Sequence, residues 1–548
     1  MTMTEAASNA QIARPGRLAR GGRQPLALAP IALLAPLELL AALLALALLG
    51  LGACGDDDGA PPTFVHLECP GAASCPDEGD GVFRVGVSVV DITPQDLKEG
   101  PSFADSDGNG EFNAREGDTF TDANSNGKLD AVWIAGFGSS RPAMGVHDPL
   151  EGRVLALRQN ETTVVWIAVD LVGFFFDYVE EIRARLAPAV SAEVDLLMVS
   201  ATHTHQGPDT IGIWGKSLTE SGLDYDYLDW AFEQLALGVA EAVSSLEEAQ
   251  VTFGAILVEG EGGSTDAYMN DGRDPNIMDQ TLRVMRFFRP SGGQTIASVV
   301  NFASHPEFVG DSNNLLSADY PFFLREAVES GDTTGIQGIG GVCLYVSGAL
   351  GGQIGPKNVT PIDRDGVAQP SAGFAKAQAV GESYAELALA ALRPEMGAVT
   401  VERPALSFRT RRVYASIDNT LYQAAWRLGI FNRELFNFDP EAAISEENTP
   451  QILTELVYLR LGPASFASAP GELNPELFVG CYDGSCSGSR PLVRPDNPNP
   501  PNLALAPEGP YLKDLLVADG SQFQWLLGLT QDELGYLMPD YNFILDDE

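Results

Sequence analysis

The stretch Ser200-Ala201-Thr202-His203-Thr204-His205-Gln206-Gly207-Pro208-Asp209 follows an apolar run, residues 194–199, that is typical of a buried β-strand. Side chains two residues apart on a strand point to the same face. We therefore expect His203 and His205 to project side by side from the end of this strand, where a loop begins. Paired imidazoles on one face are a common way to build a metal site, although two polar residues at a strand exit need not bind anything.

Apolar runs rich in β-branched residues predict further buried strands, and amphipathic periodicity predicts helices between them. Strand–helix–strand order favours an α/β fold in which mixed β-sheets are layered with helices. The predicted strands cover about residues 83–94, 164–172, 251–258, 281–288, 295–302, 398–414 and 456–466. The predicted helices cover about residues 177–186, 225–246, 372–392 and 419–430.

The string SATHTHQGPDT resembles the SGTHTHSGPGG-type signature of the neutral, non-lysosomal ceramidases, which are zinc-dependent amidases. The resemblance spans roughly residues 83–540 and implies a neutral-ceramidase-like catalytic domain in a divergent bacterial member of that family. Further segments resemble the family in the same order along the chain: VGVSVVDIT at 85–93, GVHDPL at 145–150, FASHP at 302–306, PGE at 470–472 and GLTQDELGY at 528–536.

The resemblance implies a zinc ion bound by His203, His305 and Glu472, with Tyr536 as a further ligand. Catalytic zinc requires three protein ligands and an open position for water. His205 is the implied proton donor and acceptor, or the oxyanion partner, beside the metal. Tyr536 is also an implied catalytic residue.

Two other polar residues have open assignments. Arg273 is a lone cation in the loop 270–275. It either acts catalytically, by orienting an oxyanion or a substrate carbonyl, or forms a surface salt bridge with Asp271 or Asp274. His147 either lies near the site or is a hydrogen-bonded structural histidine.

The family's catalytic serine has no counterpart in this sequence. Residues 346–356 take the place of the family's GDVSPN-type loop, and the serine position falls on Gly355, or on Ile354 after a shift of one residue. Ser347 is nearby but out of register. The expected activity is zinc-dependent hydrolysis of an amide of the N-acyl-lipid type by metal-activated water, within sphingolipid metabolism. The alternatives are a zinc esterase or phosphoesterase, and a calcium-stabilised surface lipoprotein that binds lipid or glycan without catalysis.

Residues 100–133 form a polar insertion with metal chemistry of its own. Residues 105–116 match a twelve-residue, EF-hand-like calcium loop, with Gly110 at the sharp turn. Residues 122–130 repeat its first half, with Trp133 where the last glutamate would stand. The insertion predicts structural Ca²⁺ binding by Asp105, Asp107, Asn109, Glu111, Asn113, Glu116, Asp122, Asn124, Asn126, Lys128 and Asp130.

The N-terminal 53 residues are predicted to be a lipoprotein signal peptide. Four arginines precede a long apolar run, and the small residues directly before Cys54 resemble a lipobox. We expect lipidation of Cys54, which would anchor an exported bacterial lipoprotein at the periplasmic side of the outer membrane or at the cell surface. A transmembrane anchor is the alternative. In the lipoprotein interpretation, residues 54–80 are an acidic tether and residues 81–548 are the zinc hydrolase domain. We expect no counterpart of the family's C-terminal immunoglobulin-like domain.

The strongly acidic composition excludes one class of binding partner. A net charge of −42 argues against nucleic acid, because an acidic surface repels phosphate. The expected partners are a small-molecule or lipid substrate, and a membrane through the lipid anchor.

In an exported protein the neighbouring cysteines Cys69 and Cys75, and Cys481 and Cys486, are expected to form two small disulfide loops. Cys343 lies in an apolar run and is expected to be a buried free thiol.

Overall fold

Runs of consecutive strands and single helices share the chain, as the apolar and amphipathic patterns predict. The computed structural model describes residues 66–72, 75–95, 97, 102–109, 112–121, 129–258, 267–269, 271–332, 335–353, 359–443, 445 and 448–542, all within the unit Gly59–Glu548. The signal peptide and Cys54 lie outside the described residues, so lipidation and export remain predictions. Three other predicted features also lie outside them: Glu111, residues 122–128, and the loop 354–358 in the place of the family serine.

The strands are β1 (Glu68–Cys69), β2 (Phe83–Asp91), β3 (Gly145–Val146), β4 (Glu151–Gln159), β5 (Thr162–Val169), β6 (Leu196–Ala201), β7 (Glu247–Glu248), β8 (Gln250–Leu257), β9 (Thr281–Phe288), β10 (Thr295–Phe302), β11 (Leu315–Leu316), β12 (Val342–Ser347), β13 (Val399–Val401), β14 (Leu406–Ser416), β15 (Gln451–Leu461), β16 (Ala464–Ser468), β17 (Glu472–Leu473), β18 (Phe523–Leu527) and β19 (Tyr536–Leu537). The α-helices are α1 (Phe176–Arg185), α2 (Pro188–Ser191), α3 (Tyr225–Ser244), α4 (Tyr320–Glu329), α5 (Phe374–Ala391), α6 (Thr420–Arg427), α7 (Pro475–Val479) and α8 (Leu512–Ala518). Among the described residues, no helix has both the length and the apolar character that crossing a membrane requires.

In the part of the chain that the structure describes, three five-stranded sheets each combine antiparallel pairs with one parallel pair. The strand orders are β6-β5-β4-β2-β7 in the first sheet, β12-β10-β9-β8-β13 in the second and β1-β14-β15-β16-β18 in the third. The parallel pairs are β5 with β6, β10 with β12, and β16 with β18. The prediction of an α/β fold with mixed sheets is therefore confirmed.

The first and second sheets pack face to face around a central apolar core. Trp166 of the first sheet and Phe287 of the second are fully buried there, and the third sheet contributes Trp525. Helices α1 and α3 cover the outer face of the first sheet, and α4 and α5 cover that of the second. The layers follow the order helix, sheet, sheet, helix, so that each sheet buries both faces.

Two local predictions were wrong. The strand predicted at 456–466 is divided between β15 and β16, because Gly462 turns the chain between them with a φ of +53°. The strand before the histidine stretch ends at Ala201, and His203 has a φ of +68°. Strand alternation therefore does not bring His203 and His205 to one face.

The predicted cysteine chemistry is confirmed. Cys69 is bonded to Cys75, Cys481 is bonded to Cys486, and Cys343 is a buried free thiol. Burial raises the pKa of the Cys343 thiol to about 12, so this sulfur stays protonated and unreactive at neutral pH.

A buried ion pair joins the first sheet to the helix layer that covers the second. Arg325 on α4 donates hydrogen bonds of 2.7 and 2.8 Å to Asp170, which follows β5. The Arg325 side chain is 1% exposed and that of Asp170 is fully buried. Asp170 also accepts a hydrogen bond from the backbone N–H of Glu151 at the start of β4. The pair thus fixes the position of α4 against the ends of two strands.

Removing one partner of this pair should destabilise the fold. We expect Arg325→Met to lower the free energy of unfolding by about 3–5 kcal/mol, because Asp170 is then a buried charge without its counter-charge. Chemical denaturation measures the change. Arg185→Met, which removes the more exposed ion pair with Asp229, is the control and should cost at most about 1 kcal/mol. Equal losses in the two variants would contradict the role given to the buried pair.

Candidate metal centre

Side chains from three separate segments of the chain meet in one buried cluster. His203 and His205 lie in the loop after β6, and His305 lies three residues after β10. All three rings are buried, and one ring nitrogen of each lies within 4.8 Å of those of the other two. Glu472, the first residue of β17, places a carboxylate oxygen 2.9 Å from Nε2 of His305 and 3.5 Å from Nε2 of His203.

Backbone carbonyl groups orient the two rings nearest to Glu472. Nδ1 of His203 donates to the carbonyl of Val172, and Nδ1 of His305 donates to the carbonyl of Gln353 at 2.9 Å. Both rings therefore turn Nε2 towards Glu472. Histidines that bind metals usually donate their other ring N–H to a carbonyl or carboxylate, so this orientation is the one a metal site needs.

His205 reaches the same cluster through the packing of its loop. Its Nε2 lies 3.3 Å from Nε2 of His203, and its Nδ1 lies 3.4 Å from the Glu307 carboxylate. A Cβ added to Gly136 would stand 2.3 Å from Cγ of His205, and Phe137 meets the ring edge-on with centroids 4.9 Å apart. The proximity of the two histidines, predicted from strand alternation, is thus produced by tight loop packing instead.

Opposite charges compensate each other within the cluster. Burial alone would lower the pKa of His203, but the Glu472 carboxylate outweighs it and raises that pKa. Burial alone would raise the pKa of Glu472, but His203 and His305 hold it below its ordinary value. Burial, together with the other two histidines, lowers the pKa of His205 well below its usual value. His205 is therefore uncharged at pH 7.

Tyr536 and two further glutamates surround the cluster. Glu472 and Tyr536 stand opposite each other where β17 pairs with β19. Partial burial, and then the carboxylates of Glu472 and Glu307, raise the pKa of Tyr536 above its usual value, although 36% of the residue is exposed. Burial and the charge of Glu472 likewise raise the pKa of Glu533. No role for Glu307 was predicted from the sequence. Its position two residues after His305 could have indicated a carboxylate near the site.

Arg273 is largely, but not fully, buried, with 19% of its side chain exposed. Its guanidinium donates to Glu476 at 3.1 and 3.2 Å and to Asp271 at 3.3 Å. A salt bridge with Asp271 was one of the alternatives, but at the surface; the second carboxylate, from α7 far along the chain, was not predicted. Asp274 pairs with Arg494 instead. A catalytic role for Arg273 stays a prediction.

Two residues considered for the site have structural partners. His147 places Nδ1 2.8 Å from the Asp148 carboxylate and stacks on Phe374, with ring centroids 3.6 Å apart. His147 is thus the hydrogen-bonded structural histidine of the two alternatives. Ser347 is buried and donates its hydroxyl proton to the carbonyl of Thr202 at 2.9 Å. This hydroxyl is therefore engaged with the backbone and not aimed at the histidines.

The polar insertion brings together acidic groups that differ in part from the predicted ligands. Carboxylate oxygens of Asp105, Asp107 and Asp118 lie within 4.8 Å of one another. Asp118 is buried and accepts two backbone N–H groups of the loop. Glu116, predicted to close the loop as its last ligand, is exposed. Sequence reasoning missed Asp118 because it lies two residues beyond the twelve-residue pattern.

Gly136→Ala should disturb the packing that holds His205. The backbone at Gly136 has a φ of +100°, which costs an alanine about 1–3 kcal/mol, and the new methyl group would overlap the imidazole ring. We expect the free energy of unfolding, measured by chemical denaturation, to fall by about 2–5 kcal/mol. Gly138→Ala is the matched control, since no heavy atom lies within 4 Å of its added Cβ. A loss of the same size in the control would refute the packing argument.

Known proteins resemble the chain in both sequence and fold. Residues 121–334, which include all three clustered histidines, match the family model described as neutral/alkaline non-lysosomal ceramidase, N-terminal. Glu472 and Tyr536 lie beyond the matched segment. No curated protein sequence matches the chain.

Two solved structures share the fold. The crystal structure of neutral ceramidase from Pseudomonas aeruginosa aligns with a TM-score of 0.57 and 14% identity, over 84% of this chain and 70% of that chain. The structure of a ceramidase complexed with C2 aligns with the same values. The predicted resemblance to the neutral/alkaline non-lysosomal ceramidases is therefore confirmed, in sequence over residues 121–334 and in fold over most of the chain.

Proposed function

We propose that the protein is a zinc-dependent hydrolase that cleaves the amide bond of an N-acyl lipid. The observation that carries this proposal is the convergence of His203, His305 and Glu472 in one buried cluster. The ceramidase-type sequence of residues 121–334 and the ceramidase fold support an amide as the bond that is cleaved.

The donor set fits a zinc ion. Ligands about 2.0–2.1 Å from a tetrahedral zinc lie about 3.3 Å from one another. The Glu472 oxygen lies 2.9 and 3.5 Å from the Nε2 atoms of His305 and His203. Two imidazoles and one carboxylate form a known ligand set of catalytic zinc, and they leave a coordination position open.

The chain supplies a group for each step of the hydrolysis. His203, His305 and Glu472 would hold the ion. Bound zinc would polarise the acyl carbonyl and activate a water molecule. His205 turns Nε2 towards the cluster, where it would accept a proton from the attacking water and return it to the leaving amine. Tyr536 would donate its hydroxyl proton in a hydrogen bond to the developing oxyanion.

Water, not a serine, is the proposed nucleophile. The Ser347 hydroxyl is buried and donates to the Thr202 carbonyl, so it has no free path to a carbonyl carbon in the cluster. Gly355 and Ile354, at the family's serine position, carry no nucleophilic group. The proposed reaction therefore has no acyl-serine intermediate.

Metal analysis tests the ligand assignment. The wild-type protein should contain about one zinc per chain at this site, and His203→Ala or His305→Ala should remove it, because two remaining ligands bind zinc weakly. Each substitution should lower kcat/KM for an N-acyl-sphingoid substrate by at least about 100-fold. His147→Ala is the control, since its ring stacks on Phe374, and it should keep both zinc and activity.

The choice of substrates separates the amidase from its alternatives. Amide, ester and phosphoester substrates of matched acyl length should be compared with the same zinc-loaded sample. Preferred cleavage of the ester or phosphoester would replace the amidase assignment with the esterase one. Bound zinc without hydrolysis of any substrate would contradict a catalytic role and favour a lipid- or glycan-binding protein.

We also propose a structural Ca²⁺ ion held by Asp105, Asp107 and Asp118, since clustered carboxylate oxygens are ligands that Ca²⁺ prefers. Calcium at about 100 times its Kd should stabilise the protein by about 2.7 kcal/mol. Asp118→Asn should abolish most of this gain, and Glu116→Gln should leave it unchanged. Calorimetry with Ca²⁺ and with a chelator measures both, and the reverse ranking would restore Glu116 as the closing ligand.

A further inference from the structure

We propose that Glu307 is a positioning residue that fixes the His205 ring with Nε2 towards the candidate metal centre. This role rests on the proposed function, in which His205 transfers protons. Glu307 follows His305 by two residues and is 5% exposed. Its buried carboxylate thus lies on the same segment as the candidate ligand His305, but it faces His205.

The two ring nitrogens of His205 face different partners. Nδ1 lies 3.4 Å from the Glu307 carboxylate, and Nε2 lies 3.3 Å from Nε2 of His203. An ionised carboxylate accepts hydrogen bonds and cannot donate them. With its proton on Nδ1, facing this carboxylate, the imidazole would present the Nε2 lone pair on the side of the cluster.

The surroundings of the ring oppose its rotation. Gly136 and Phe137 pack against it, the first so closely that even a methyl group would overlap it. The backbone N–H of His205 donates to the carbonyl of Pro306 at 3.1 Å, and Arg141 donates to the carbonyl of His205 at 3.3 Å. Since Pro306 directly precedes the glutamate, the ring and its carboxylate are held by one shared backbone contact.

The other two histidines of the cluster show the same arrangement with different acceptors. Nδ1 of His203 is held by the Val172 carbonyl, and Nδ1 of His305 is held by the Gln353 carbonyl. In each of the three rings an oxygen atom lies at Nδ1 and Nε2 faces inward. At His205 this oxygen belongs to a side chain, so its role can be tested by substitution without altering the backbone.

Glu307→Gln is the direct test. The glutamine amide can donate to Nδ1, which would move the ring proton to Nε2, the nitrogen that must accept protons. We expect kcat to fall by about 10–100-fold, with KM and zinc content unchanged. ¹⁵N NMR of histidine-labelled protein should show His205 as the Nδ1–H tautomer in the wild type and the Nε2–H tautomer in the variant, also in zinc-free samples. A His205→Ala spectrum assigns the signal.

Two further variants make the result specific. Glu307→Asp keeps a carboxylate and should recover the Nδ1–H tautomer and part of the lost kcat. Glu329→Gln is the control, because Glu329 pairs with Arg153 and not with a histidine. This variant should leave both the His205 tautomer and kcat unchanged. A loss of kcat in this control equal to that of Glu307→Gln would overturn the proposal.

The outcomes separate this inference from the proposed function. An Nε2–H tautomer of His205 in the wild type overturns the inference even if Glu307→Gln does not fold. Unchanged kcat and tautomer in a folded Glu307→Gln protein overturn it as well, and loss of zinc from that variant would identify Glu307 as a ligand instead. A wild-type protein without zinc or hydrolysis would contradict the proposed function, while the tautomer still tests the contact with Glu307.

Discussion

Three imidazole rings and a carboxylate share one buried cluster, and the rest of the site is arranged around this constraint. A buried carboxylate destabilises a fold unless a positive partner or a metal ion compensates its charge. Glu472 receives this compensation from His203 and His305, which lower its pKa while it raises that of His203. A divalent cation would satisfy the same atoms, because two ring nitrogens already face one carboxylate oxygen.

The layered fold explains how residues so far apart in sequence reach one cluster. The first and second sheets pack face to face, and loops after β6 and β10 carry the histidines at the same edge of this pair. The buried pair of Asp170 and Arg325 ties α4 to the end of β5. The short pairing of β17 with β19 then brings Glu472 and Tyr536 from the C-terminal part of the chain. The backbone fold thus brings the site residues close together, and local hydrogen bonds orient their side chains.

Regular structure and the principal site residues could be predicted from sequence. Apolar runs predicted β10 to the residue and α1 to within one residue, because long segments with a clear period depend mainly on local pattern. The resemblance to the ceramidases selected His203, His305 and Glu472, which the fold brings together. Neither the strand and helix positions nor the convergence of these three residues required a knowledge of side-chain contacts.

The remaining features depend on tertiary contacts that no local pattern records. The left-handed backbone at His203 ends the strand alternation from which its orientation was predicted. Glu307 meets His205 only when distant loops come together, and Asp118 meets Asp105 and Asp107 only when the polar insertion folds back on itself. Arg273 is largely withdrawn from solvent because Glu476, on a helix far along the chain, supplies its second carboxylate. Such residues lack a periodic signal, so their roles emerge only from the folded arrangement.

The central claim is that this cluster holds a zinc ion, and anomalous X-ray diffraction at the zinc absorption edge tests it most directly. In crystals of the zinc-loaded protein we expect one strong peak about 2.0–2.1 Å from Nε2 of His203, from Nε2 of His305 and from a Glu472 oxygen. An absence of anomalous density among these atoms, with zinc bound only elsewhere or not at all, would contradict the account.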